Sequence, residues 1–173
     1  MCRRTKPSPG ECDTEDMSPT VDPLRRHLIE LLRMTGAHLT FDEAVASFPV
    51  ELRGRKPPGA PHTPWQLLEH LRIAQWDILD FCRNPEYKEI KWPDDYWPPT
   101  EAPPDGAWDR SVQQFRNDAQ EFEALISDES LDLFERLVHG SGQTLLREAL
   151  LVADHNAYHL GQLVYARKTM EAA

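Results

Sequence analysis

Little in this 173-residue chain suits a disulfide scaffold, a membrane span or a nucleic-acid binder. Its three cysteines, Cys2, Cys12 and Cys82, form no even set and no closely spaced pair, which fits a reducing compartment. No apolar run approaches the roughly 20 residues that a membrane span needs, and no apolar core follows the basic residues at the N-terminus as a signal peptide requires. Cys2 likewise lacks the upstream apolar segment of a lipid anchor. Basic residues are in deficit: 19 Lys and Arg against 29 Asp and Glu leave a formal charge of -10, which argues against a generic phosphate-backbone binder. There is no internal repeat and no β-alternation of useful length. These absences leave a soluble cytoplasmic protein with neither nucleic acid nor membrane as partner.

What remains is enough chain for one domain, which at this length can bury roughly two-thirds of its unfolded surface. Residues 1–19 hold three prolines and almost no large apolar side chains, so they read as a disordered tail. Met17-Ser18-Pro19-Thr20 leads directly into amphipathic sequence and reads as the physiological start. Mass spectrometry of native protein checks this, and a peptide containing Cys2 would refute it. The domain is expected over residues 20–168, with a short C-terminal tail over 169–173.

Leu24, Leu28, Leu31 and Leu32 predict a first helix from Asp22 to about Gly36. Thr40 and Glu43 form a capping-box pattern that starts a short second helix through Phe48. Breakers from Pro49 to Pro61 mark a surface loop. Thr63-Pro64-Trp65-Gln66 starts a helix running to about Arg83, with Leu67, Leu71, Ala74, Ile78 and Phe81 as its apolar stripe. His70 lies within that stripe and is expected to face inward. Pro85 to Gly106 is too rich in proline for a helix, yet carries Tyr87, Trp92, Tyr96 and Trp97. Trp108, Val112, Phe115, Ala119, Phe122 and Ile126 predict the next helix, starting at Asp105-Gly106. A short helical piece around Leu131 to Leu137 precedes the break at His139-Gly140-Ser141-Gly142. A last helix spans about Thr144 to Arg167.

The last helix is apolar on two sides. Leu146, Ala149, Leu150, Ala153, Ala157, Leu160 and Val164 form one wide stripe; His155 and His159 fall nearly opposite it, with Leu145, Val152 and Leu163. One side must close the chain's own core, and the other meets either another helix or another subunit. Four residues apart, His155 and His159 place two imidazoles on one face, a metal-ligand spacing. His70 from a facing helix would complete three nitrogen ligands and leave a fourth position open for water or substrate. Taken singly, each histidine is equally readable as a core residue satisfied by a hydrogen bond.

The segments His62-Thr63-Pro64-Trp65-Gln66-Leu67-Leu68-Glu69-His70-Leu71 and Asp154-His155-Asn156-Ala157-Tyr158-His159-Leu160-Gly161-Gln162-Leu163 resemble the DinB-like, YfiT-related superfamily of four-helix metalloproteins. The likeness covers about residues 20 to 168. It implies an all-α four-helix bundle with the proline- and aromatic-rich loop between the second and third long helices, and often a homodimer. It also implies a divalent metal, commonly zinc or nickel, held by His70, His155 and His159. Glu69, Asp154 and Gln162 neighbour these ligands in sequence and can orient them, although Asp154 points about 100° away from His155 and reads equally as a surface residue. Glu69 has the same ambiguity. Trp92, Tyr96 and Trp97 can wall a pocket or seal the bundle end. His27, His38, His62 and His139 read as structural, His139 being of interest because its loop leads into the metal-bearing helix.

The resemblance implies a metal-dependent enzyme of the thiol S-transferase or hydrolase type, with a low-molecular-weight thiol as a further cofactor. The alternatives are a non-catalytic metal-binding or ligand-sensing bundle, and a helical interaction module whose site stays empty. Arg53, Arg55, Lys56 and Arg147 can hold a substrate carboxylate or remain solvated.

Overall fold

A computed structural model describes residues 22–172. The expected tail over residues 1–19 and the start at Met17 lie outside them. Among the described residues the α-helices are α1 (Pro23–Leu32), α2 (Phe41–Val45), α3 (Pro64–Arg83), α4 (Ala107–Ser127) and α5 (Leu145–Glu171), with no β-strand, so the fold is all-α. None of these helices is long and apolar enough to cross a membrane.

The four longer helices form a bundle in which α3 and α1 occupy opposite corners, each packed against both α4 and α5. Pairings along the helices fix their directions. Arg33 meets Glu123 while Arg25 reaches the carbonyls of Ile126 and Asp128, so α1 and α4 run antiparallel. Gln75 bonds the Phe115 carbonyl and Arg83 meets Glu121, so α3 and α4 run parallel. Two consecutive parallel helices need a connection that returns the full length of the bundle. The 84–106 segment is that connection, descending α3 from the Tyr87 hydroxyl on Asp77, through the Tyr96 carbonyl at His70, to the Thr100 hydroxyl at Trp65. Its aromatic and proline content thus serves a strap laid along a helix.

α3 begins where the sequence predicts because both halves of its cap are made. Thr63 Oγ1 accepts from Gln66 N–H at 3.2 Å, and Gln66 Oε1 accepts from Thr63 N–H at 3.0 Å. Such a cap contributes on the order of 1 kcal/mol. The Thr63 hydroxyl also donates to the Glu101 carbonyl, pinning the strap to the start of the helix it follows. Apolar contacts form two clusters. One gathers Phe41, Phe48, Trp65, Leu71, Trp108 and Leu163; the other gathers Leu28, Leu79, Phe122, Ile126, Leu145 and Val152. Between the levels of these clusters lies a buried polar bridge, Asn156 to Gln75 to the Phe115 carbonyl, linking α5, α3 and α4 at 2.8 Å per step.

Several boundaries differ from the sequence reading. α1 stops at Leu32 because Met34 takes a positive φ of 57°, and α2 stops at Val45, short of Phe48, beside Ser47 at φ 50°. Residues 131–137 are not helical: Leu133 is buried, and Arg136 pairs with Thr144 in an isolated antiparallel bridge. α5 continues to Glu171 and buries Met170, so most of the expected C-terminal tail belongs to the helix. α5 packs on both of its predicted apolar sides: Ala149, Ala153 and Leu160 of the wide stripe are buried. Leu145, Val152, Asn156 and Leu163 are buried, whereas Leu150 is 47% exposed. The histidine side of the helix therefore meets α3 of the same chain.

Candidate metal centre

His70 projects from the second turn of α3, and His155 and His159 from successive turns of α5, so antiparallel packing of the two helices brings all three rings together. One ring nitrogen from each lies within 4.8 Å of the others. The Nε2 atoms of His70 and His155 stand 3.1 Å apart. Two imidazoles bound at about 2.1 Å in tetrahedral geometry would place their nitrogens about 3.4 Å apart, so the spacing suits a shared ion.

The opposite ring edges decide which nitrogens are free. Tyr96 offers its main-chain carbonyl to His70 Nδ1 at 3.0 Å, and a carbonyl can only accept; Nδ1 therefore carries the proton and Nε2 keeps its lone pair. Gln162 Oε1 accepts from His159 Nδ1 at 2.9 Å with the same result. Holding the outer ring nitrogen to a fixed acceptor orients the inner one toward a metal. His155 differs. Its Nδ1 is buried without a partner, as is Oδ1 of the adjacent Asn156.

Burial lowers the pKa of all three rings, most for His70 and His155, each brought to about 4. For His70 the neighbouring imidazoles add to that shift, while the Tyr96 carbonyl opposes it. At neutral pH the triad is uncharged, the form in which imidazole binds metal.

Gln162 is the residue beside the ligands that reaches one of them. Glu69 does not: its carboxylate turns toward α4, bonding Arg72 at 2.8 and 2.9 Å and accepting from Ser111. Asp154 is exposed on the far side of α5. Both therefore leave the set of residues that orient the histidines, because the helical position just before a histidine is turned about 100° away from it. Of the loop aromatics, Trp97 stacks on His70 with ring centroids 4.0 Å apart, and His62 stacks on its other face at 3.8 Å. Trp92 is 66% exposed and lines a cleft together with Tyr96.

That cleft, about 360 Å³, opens beside the triad. Ala74, Ile78, Phe81, Leu151 and Trp92 supply its apolar wall, and Asp77, Tyr87, Gln143, Arg147 and Glu148 its far end. Asp77 accepts from the Tyr87 hydroxyl at 3.0 Å and the Tyr96 hydroxyl at 2.6 Å, while Glu148 binds Arg147 Nη1 through both oxygens. Burial raises the pKa of both carboxyls against these partners. Neither acid was singled out from sequence, although a signal existed: each lies seven residues, two turns, from a histidine of its own helix. Of the four basic residues considered for a carboxylate, Arg147 alone lines the cleft; Arg53 lies over Trp108 and Lys56 pairs with Glu101.

Residues 33–163 match the family model described as the DinB superfamily. No curated protein and no solved structure matches the chain.

Proposed function

The chain belongs to the DinB superfamily, and from that premise we propose that it is a divalent-metal protein whose triad, with one position left open, serves a metal-dependent reaction of the thiol S-transferase or hydrolase type. Zinc or nickel is the proposed ion. The observation that carries the reading is the convergence of three uncharged imidazoles, two of them committed through their outer nitrogens to fixed acceptors. Three imidazoles from two helices make an open site, since no fourth His, Cys, Asp or Glu joins the group among the described residues.

A divalent ion supplies Lewis acidity there and acidifies a bound water or thiol. The chain's residues do the remainder. His70, His155 and His159 hold the ion, while Tyr96 and Gln162 fix the rings. Trp97 covers the back of His70, and the cleft confines a small molecule against the open side. A low-molecular-weight thiol as co-substrate, a homodimer and a cytoplasmic location belong to the same proposal.

Metal analysis of purified protein tests it. About one divalent ion per chain, lost in His159→Ala, is the expected result; substoichiometric metal unchanged by that substitution would overturn the reading. The reaction class is tested by offering the metal-loaded protein electrophiles with several small thiols. Failure to consume any thiol removes the transferase assignment.

A further inference from the structure

The cleft beside the triad has a second polar level. Asp77 follows His70 by seven residues on α3, and Glu148 precedes His155 by seven on α5, so each carboxylate sits two helical turns, about 10 Å, from the histidine level. Because α3 and α5 run in opposite directions, the two displacements coincide, and Asp77 acts electrostatically on Glu148. Both acids line the cleft, at 6% and 2% exposure.

Their partners do not neutralise them. Asp77 has two uncharged phenols, and Glu148 has Arg147, whose side chain is half exposed. When both are ionised, two buried carboxylates against one guanidinium leave a negative excess, a cost that a further cation relieves. Independently, Phe81, Tyr87, Trp92 and Tyr96 bring aromatic rings to the same cleft. Aromatic rings combined with carboxylates are the chemistry that recognises an ammonium group. Arg147 does not make this an anion site, since its Nη1 already engages both Glu148 oxygens.

We infer that the cleft takes a ligand bearing a protonated amine, seated between Asp77 and Glu148, with the rest of the ligand extending about 10 Å along the apolar wall to the histidines. The inference rests on the proposed function only in treating this cleft as the substrate cleft. The amine seat itself needs no metal.

Calorimetric titration of the metal-free full chain at neutral pH tests it, using phenethylamine, its uncharged counterpart 2-phenylethanol, and phenylacetate. The amine is expected to bind at least about tenfold more tightly than the alcohol, with phenylacetate weakest, and Glu148→Gln or Asp77→Asn should each reduce amine affinity about tenfold or more. Equal binding of amine and alcohol, preference for phenylacetate, or no amine binding by the unsubstituted protein would overturn the inference, and these outcomes do not depend on whether the variants fold. Metal content measured on the same protein separates the two readings. Metal without amine preference removes this inference alone; amine preference without metal removes the metal reading alone.

Discussion

On the side of α3 that meets α4, Glu69 lies against Arg72 and Ser111, whereas on the side that meets α5, His70 and Asp77 face a cleft. Both sides bury ionisable groups. On the α4 side Arg72 and Ser111 outweigh the burial of Glu69 and hold its carboxyl below the ordinary range, although Asp118 of α4 is buried with one carboxylate oxygen unpartnered and is raised by burial. The α5 side leaves its groups in tension, with imidazoles forced neutral and Asp77 raised by burial despite two hydroxyl donors. Burial of polar residues thus marks an interface of any kind. An imbalance that faces an open cleft, as at His70 and Asp77, marks a candidate site.

The largest expected difference between the two sides is in metal content. His155→Ala should bring bound divalent ion from about one per chain to near zero by elemental analysis. Glu69→Gln should leave the ion in place while lowering stability by about 2 kcal/mol in urea unfolding, since Arg72 loses its buried partner. Loss of metal in both variants would collapse the distinction.

A smaller effect is expected at the ligand supports. Gln162→Ala frees His159 Nδ1 and should weaken metal affinity about 10- to 100-fold in a competition assay. An unchanged affinity would show that helix geometry alone orients the ring.

Asp77 and Glu69 of α3 should also respond to pH with opposite sign in metal-free protein. Asp77 has a raised folded pKa, so its contribution to stability is present below its unfolded value and lost as pH rises through the folded one. Glu69 has a lowered folded pKa, so its contribution is present above the unfolded value and lost as pH falls through the folded one. Asp77→Asn should therefore raise stability most at neutral pH relative to acid, and Glu69→Gln should lower it most at neutral pH. Unfolding midpoints of the three proteins across the acid range check this; slopes of the same sign would refute it. The smallest effect belongs to the surface of α4, where breaking the exposed Arg116–Asp42 pair by Arg116→Ala should cost no more than about 0.5 kcal/mol.

Much of this contrast was open to sequence reasoning, and its gaps have a physical cause. α3 was legible to the residue because its cap, its Pro64 and its stop at Asn84 are local signals. The three histidines were legible because their spacing and inward placement agree. Which apolar side of α5 meets which neighbour was not, since a helix apolar on most sides has no preferred face in a hydrophobic pattern, and its buried Glu148 and Asn156 carry no apolar signal. Glu69 and Asp154 failed for a related reason: adjacency in a helix separates side chains, while a spacing of seven joins them. By that rule Asp77 and Glu148 were the neighbours to find. The partner of His70 was also beyond reach, because the contact is a main-chain carbonyl delivered by a strap whose path no residue type announces.

That strap gives Tyr96 two contacts of unequal heritability. Its carbonyl holds His70 whatever side chain stands at position 96, while its hydroxyl reaches Asp77 only if that side chain is tyrosine. A lineage could therefore exchange the residue, and with it the chemistry at the far end of the cleft, without disturbing the ring of His70 in the triad. The triad would stay fixed while the wall of the cleft drifts.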